Sequence, residues 1–142
     1  MTSAPAPSDG VATDQVAVNR PAVVAEVQAA FDRYEAALVA GDVETLTELF
    51  WDSPVSVRFG IADRQRGASE IKQWRQHNGG IPAGRRLLDT TVLTIDDRTA
   101  VVTTLFGYPG RAVEGRQSQV WVRFDEGWRI VAAHVSEAGP HA

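Results

Sequence analysis

The chain of 142 residues contains no cysteine, which excludes disulfides, thiol nucleophiles and cysteine-ligated metals. Histidine is scarce: His77, His134 and His141 follow no metal-ligand spacing, and two of them fall in loose segments. Lysine occurs once, as Lys72, against thirteen arginines. Genomic composition bias accounts for that ratio, and the chemical alternative is that several arginines bind carboxylates as planar forks. A formal charge of −4 leaves no electrostatic case for nucleic acid. No apolar run approaches the ~20 residues of a membrane span. The start, MTSAPAPSDGVATDQ, has neither a positive n-region nor an apolar core, so no secretion signal is read there and the expected location is the cytoplasm. There is no GxSxG elbow and no phosphate-cradling glycine loop before a helix, so neither metal nor nucleotide cofactor is expected.

What is present fits a single domain. Residues 1–19 are rich in Ala, Pro, Ser and Asp with few large apolar side chains, which predicts a flexible tail. Asn19-Arg20-Pro21 reads as an N-cap with proline in the first turn. Val23, Val27, Phe31, Tyr34 and Leu38 then recur at helical spacing up to Gly41. Asp42 caps a short second helix, Val43 to Phe50, which Ser53-Pro54 ends. Val55 to Phe59 alternates as a strand, with Ser56 and Arg58 on one side. A turn at Gly60 to Arg66 leads to a third helix through about His77, with Ile71 and Trp74 as its apolar positions, closed by Asn78-Gly79-Gly80. Strands follow at about Arg85 to Ile95 and Thr99 to Tyr108. The domain is expected over residues 20–137, with 138–142 a short loose end.

The stretch RQSQVWVRFDEGWRIVAAHVS, residues 116–136, reads as a hairpin turning at Glu126-Gly127. That register sets Gln119 opposite His134, Gln117 opposite Ser136 and Trp121 opposite Ala132, all on one face. The other face is apolar: Val120, Val122, Phe124, Val131, Ala133 and Val135. One face then borders a pocket and the other a packing partner. Helices followed by antiparallel strands make the class α+β, with three N-terminal helices on one face of a curved, mostly antiparallel sheet.

Tyr34, on the buried stripe, needs a polar partner for its hydroxyl, and a purely structural hydrogen bond would serve. Arg58, mid-strand, must reach either solvent or a polar cavity; a structural ion pair is the plain alternative. His134 is the natural proton carrier, and a core histidine satisfied by Gln119 is its rival. Gln117, Gln119 and Ser136 would orient an amide or carboxylate, or form a polar rim. Trp74 and Trp121 read as pocket walls or simply core. Arg66 and Arg116 could assist an anion or be solvated. Glu48, Asp52, Asp63 and Asp89 read as surface charge.

The element order, the helix-one tyrosine and the last strand GWRIVAAHVS resemble the nuclear transport factor 2-like (SnoaL-like) cone fold over about residues 20–137. GRQSQVWVRFDEGWRIVAAHVS and the RFG of the first strand are more narrowly similar to the AtzH-like (HpxZ-like) group. That resemblance implies that the helices lie on the concave face of the sheet, with a pocket between the two, and a homodimer packed through the outer sheet face. It further implies a link to ureide or s-triazine nitrogen catabolism alongside an amidase. It implies a decarboxylating amidohydrolase acting on a small carboxylated urea such as 1,3-dicarboxyurea, with Tyr34 and Arg58 in the substrate pocket. Arg58 would clamp a carboxylate and Tyr34 would polarise or protonate the urea. The rivals are a non-catalytic binding or accessory protein for such an amidase, and a ketosteroid-isomerase-like enzyme, which would need a carboxylate base beside a lipophilic cavity.

Overall fold

A computed structural model describes residues 11–13, 15–78 and 80–139. Along the chain run β1 (Val11–Thr13), β2 (Val16–Val18), α1 (Pro21–Ala40), α2 (Val43–Leu49), β3 (Val57–Phe59), β4 (Arg64–Arg66), α3 (Ala68–His77), β5 (Arg86–Ile95), β6 (Thr99–Gly107), β7 (Glu114–Phe124) and β8 (Gly127–Ala138). The strands form one sheet in the order β1-β2-β5-β6-β7-β8-β3-β4. Every pairing is antiparallel except β3 with β8, because α1, α2 and the approach to β3 carry the chain across the helical face before it joins the sheet beside its own C-terminus. No described helix is long and apolar enough to cross a membrane.

The periodicity of α1 buries Val23, Val27, Phe31, Tyr34, Ala37 and Leu38. Gly41 ends the helix in the left-handed region (φ 69°), which lets the Asp42 N–H donate back to the Ala37 carbonyl at 2.9 Å. Asp42 then caps α2, accepting from the Thr45 N–H at 3.1 Å and the Thr45 hydroxyl at 2.6 Å. Helix α1 packs on α2 and β5, and α2 on α3 and β8. Their apolar faces meet Ala100, Val102, Trp121 and Ile130 of the inner sheet face in one core.

Four expectations are corrected. Residues 11–13 and 15–19 are not a tail: β1 and β2 form a hairpin that joins the sheet at β5. Its attachment is hydrogen bonding of its main chain to the main chain and side chain of Asp96, which the lack of large apolar side chains does not prevent. The Ala17 N–H donates to Asp96 Oδ1 at 3.0 Å and the Asp96 N–H to the Ala17 carbonyl at 2.7 Å. Residues 1–10 and 140–142 lie outside the described residues, and β8 continues through Ala138. Asn19 does not cap α1; with φ 58° it turns its amide oxygen to accept from the Thr94 N–H at 2.9 Å, fastening the helix entry to β5. The turn after β3 is shorter than expected, with the Gly60 N–H donating to the Asp63 carbonyl at 2.8 Å, so Arg64–Arg66 pairs back as β4.

The fourth correction moves the hairpin register. The turn residues are Asp125 and Glu126, with Phe124 opposite Gly127, and a bulge separates the pair Trp121–Ile130 from Val120–Ala132. The extra residue, Val131, reverses the side-chain alternation of β8. Trp128 and Ile130 enter the core before the bulge, and Ala133, Val135 and Glu137 take the inner face after it. Gln119 is therefore opposite Ala133, Gln117 opposite Val135, and His134 and Ser136 turn outward. The outer face keeps Val120 and Val122, loses Ala133 and Val135, and gains Phe59, Leu88 and Leu93, which are 45, 54 and 39% exposed.

Candidate active site

A cavity of about 440 Å³ opens between α1, α3, the β3–β4 hairpin and the inner ends of β6, β7 and β8. Tyr34, Arg58, Trp74 and Gln117 all line it. Gln119 and Trp121 lie deeper, fully buried, where the indole N–H donates to Gln119 Oε1 at 3.1 Å, so they belong to the core beneath the cavity. His134 sits on the outer face with its ring edge against Phe59, centroids 5.9 Å apart. Ser136 follows it outward by the same alternation. Arg66 and Arg116 are exposed, Arg116 pairing with Glu114 at 2.9 Å.

Arg58 projects inward because β3 alternates, with Val57 and Phe59 facing out. One nitrogen, Nη1, donates to Asp63 Oδ2 at 2.6 Å and to Gln65 Oε1 at 2.8 Å, while Gln65 Nε2 donates to the same Asp63 oxygen at 2.9 Å. The guanidinium carbon stands 4.1 Å from the centre of the Trp74 ring. Among the described residues, Asp63 and Gln65 thus hold Arg58 by a single nitrogen and leave its Nε–Nη2 edge unengaged, the geometry a bidentate carboxylate takes. Burial first, and then the like charge of Arg75, pull the Arg58 guanidinium below its ordinary value, against the opposing pulls of Tyr34 and Asp63. At Asp63 burial pushes the carboxyl up, but hydrogen bonds from Gln65 and Arg58 and the charge of Arg58 outweigh it and hold the group below the usual carboxylate value.

Tyr34 accepts from Arg75 Nη2 at 2.6 Å, deep in the cavity wall. A guanidinium has donors only, so the phenolic oxygen is the acceptor and its own proton is left to point elsewhere. A second cluster closes the other side. Glu35 receives Arg85 Nε at 2.8 Å and Nη2 at 3.2 Å as well as Gln117 Nε2 at 3.1 Å, while Arg85 also donates to Tyr108 Oη and Gln117 Oε1. Burial pulls the Arg85 guanidinium down, but the hydrogen bonds and charge of Glu35 raise it above its ordinary value. Gln117 is thereby committed to an internal network.

Arg75, Asp63, Gln65, Glu35 and Arg85 escaped the sequence reading. Arg75 had a usable signal: it follows Ile71 by four, on the buried stripe of α3. Asp63, whose place in the sequence reads as surface charge, is half-buried because the tight β3–β4 turn folds it over Arg58.

A family model described as AtzH-like matches residues 16–140. The chain belongs to the AtzH-like family, within the nuclear transport factor 2-like superfamily. It is similar to a cystatin-like fold protein from Burkholderia xenovorans LB400: 44% identity, 89% of this chain and 99% of that one covered, TM-score 0.86. It is also similar to a DUF3225-family protein of unknown function from Pectobacterium atrosepticum SCRI1043, at 43% identity, with 86% and 95% coverage and a TM-score of 0.83. A nuclear transport factor 2-like superfamily protein from Salmonella enterica serovar Typhimurium LT2 matches at 27% identity, with 85% and 93% coverage and a TM-score of 0.61. No curated protein matches the chain. In this AtzH-like chain the two positions that the resemblance singled out, Tyr34 and Arg58, share one cavity.

Proposed function

We propose that this AtzH-like protein is an enzyme that removes carbon dioxide from a small carboxylated urea of the 1,3-dicarboxyurea kind. The observation that carries the reading is the pairing of an arginine edge open to a carboxylate with a tyrosine whose oxygen is already occupied by a donor, in one cavity. The free edge of Arg58 binds one carboxylate of the ligand and fixes its register. The carboxylate that leaves is the other one, since clamping the departing group would stabilise the ground state. In that step the N–CO2 bond breaks, its electron pair passes to nitrogen, and nitrogen takes the Tyr34 proton; solvent then reprotonates the phenolate. Trp74 forms the wall on which Arg58 rests.

An isomerase of the ketosteroid type would need a carboxylate at liberty to abstract a proton. Asp63, Glu35 and Glu137 are each held by an arginine instead. We also propose that the outer face around Phe59, Leu88 and Leu93 packs against a second copy of the chain, because an apolar patch of this kind seldom stays open.

The test is to offer purified protein carboxylated ureas and follow carbon dioxide release against the uncatalysed rate. Tyr34→Phe should lower kcat by about 10²–10⁴, the usual contribution of a positioned acid, with KM little changed. Binding without any acceleration, and no effect of Tyr34→Phe, would replace the enzyme with an accessory binding protein.

A further inference from the structure

Four guanidiniums line the cavity: Arg58, Arg75, Arg85 and Arg111. Three hold a carboxylate, Asp63 at 2.6 Å, Glu35 at 2.8 Å and Glu137 at 3.2 Å. Arg75 holds none among the described residues, although it is about nine-tenths buried. Its Nη2 is spent on Tyr34, and its Nε is buried without any acceptor. A buried guanidinium without a counter-charge is costly, and a neutral donor would satisfy a resting phenol as well. Beside the phenol, the charge has a use when negative charge forms on its oxygen. The Trp74 ring neighbours both cations, its centre 4.1 Å from Arg58 and 5.4 Å from Arg75, so the indole partly offsets their mutual repulsion.

We infer that Arg75 is the positioning residue of the reaction: it turns the Tyr34 proton toward the ligand and stabilises the phenolate left when that proton is given up. This rests on the decarboxylating role proposed for Tyr34 and assigns a separate function within it. Arg58 binds, and the Tyr34–Arg75 pair performs the proton transfer. The uncompensated charge is preorganised where the transition state becomes negative, so nothing has to reorient during the step.

The experiment is a double-mutant cycle on steady-state decarboxylation of 1,3-dicarboxyurea with wild type, Tyr34→Phe, Arg75→Gln and the double variant. Arg75→Gln should lower kcat by at least tenfold with KM within about threefold of wild type. Arg58→Lys should instead act mainly on KM. The double variant should be no slower than Tyr34→Phe alone, because a charge acting through the phenol has nothing left to act on. Arg75→Lys, which keeps charge and one donor, should recover most of the lost rate, and it carries the test if the glutamine variant does not fold. Multiplying losses in the double variant, or equal losses in Arg75→Lys and Arg75→Gln, would overturn the role of Arg75 and leave the enzyme standing. A wild type inert toward the substrate would overturn both.

Discussion

Glu35→Gln is the sharpest test of what holds the cavity open, because it changes charge and almost nothing of shape. The Glu35 and Arg85 side chains are 12% and 4% exposed and joined through two nitrogens. The two carboxylate oxygens accept from three donors, Arg85 Nε, Arg85 Nη2 and Gln117 Nε2. A glutamine has one acceptor oxygen, so its amide group must face at least one of these donors. If Gln117 rotated to offer its oxygen, it would give up the bond it now accepts from Arg85 Nη2 at 3.2 Å. No arrangement restores the network. Arg85 would remain buried against Phe106, 4.3 Å from the ring centre, without a counter-charge. Breaking a buried pair from one side costs roughly 3–5 kcal/mol, which for a domain of this size lowers Tm by roughly 10–17 °C. Urea unfolding at fixed protein concentration, read by tryptophan fluorescence, measures it. Glu35→Gln combined with Arg85→Met should recover a large part of the loss, since the stranded charge is then gone. A single-variant loss below about 1 kcal/mol would show that water reaches the pair and that the cluster is not what shapes the cavity floor.

Two further outcomes follow from the same geometry. Asp63 is held below its ordinary carboxyl value in the folded chain, so its contribution is complete above the unfolded-state value near 4 and fades as pH falls through the lower folded value. The stability gap between wild type and Asp63→Asn in urea titrations should therefore be flat from about pH 5 to 7 and close on further acidification; a gap that widened would refute the Asp63–Arg58 contact. Phe59→Glu places a charge in the exposed outer patch, and sedimentation velocity should show it shifting the proposed dimer toward monomer. A wild type sedimenting only as monomer would remove that interface.

The helices were legible because their signals are local. The stripe Val23, Val27, Phe31, Tyr34, Leu38 and the punctuation Gly41-Asp42 appear in the structure as read. The N-terminal hairpin was not legible, because what orders it is hydrogen bonding, main-chain and side-chain, to Thr94 and Asp96, nearly eighty residues away. Composition reports how much apolar surface a segment can bury, and a strand added at a sheet edge needs little of it.

The site was legible where alternation ran undisturbed and failed beyond the first irregularity. Arg58 sits mid-strand between two outward residues, and Tyr34 lies on an unbroken helical stripe, so each could be aimed from spacing alone. His134 stands three residues past the bulge at Val131, and there one extra residue exchanges the faces. With the bulge, Val135 and Glu137 border the cavity, and Glu137 is the carboxylate that engages Arg111. Without it, His134 and Ser136 would face inward, Arg111 would have no such partner, and the cavity would carry a second uncompensated guanidinium beside Arg75. The bulge therefore helps set the charge of the site as well as its lining, and leaves the excess positive charge at Tyr34.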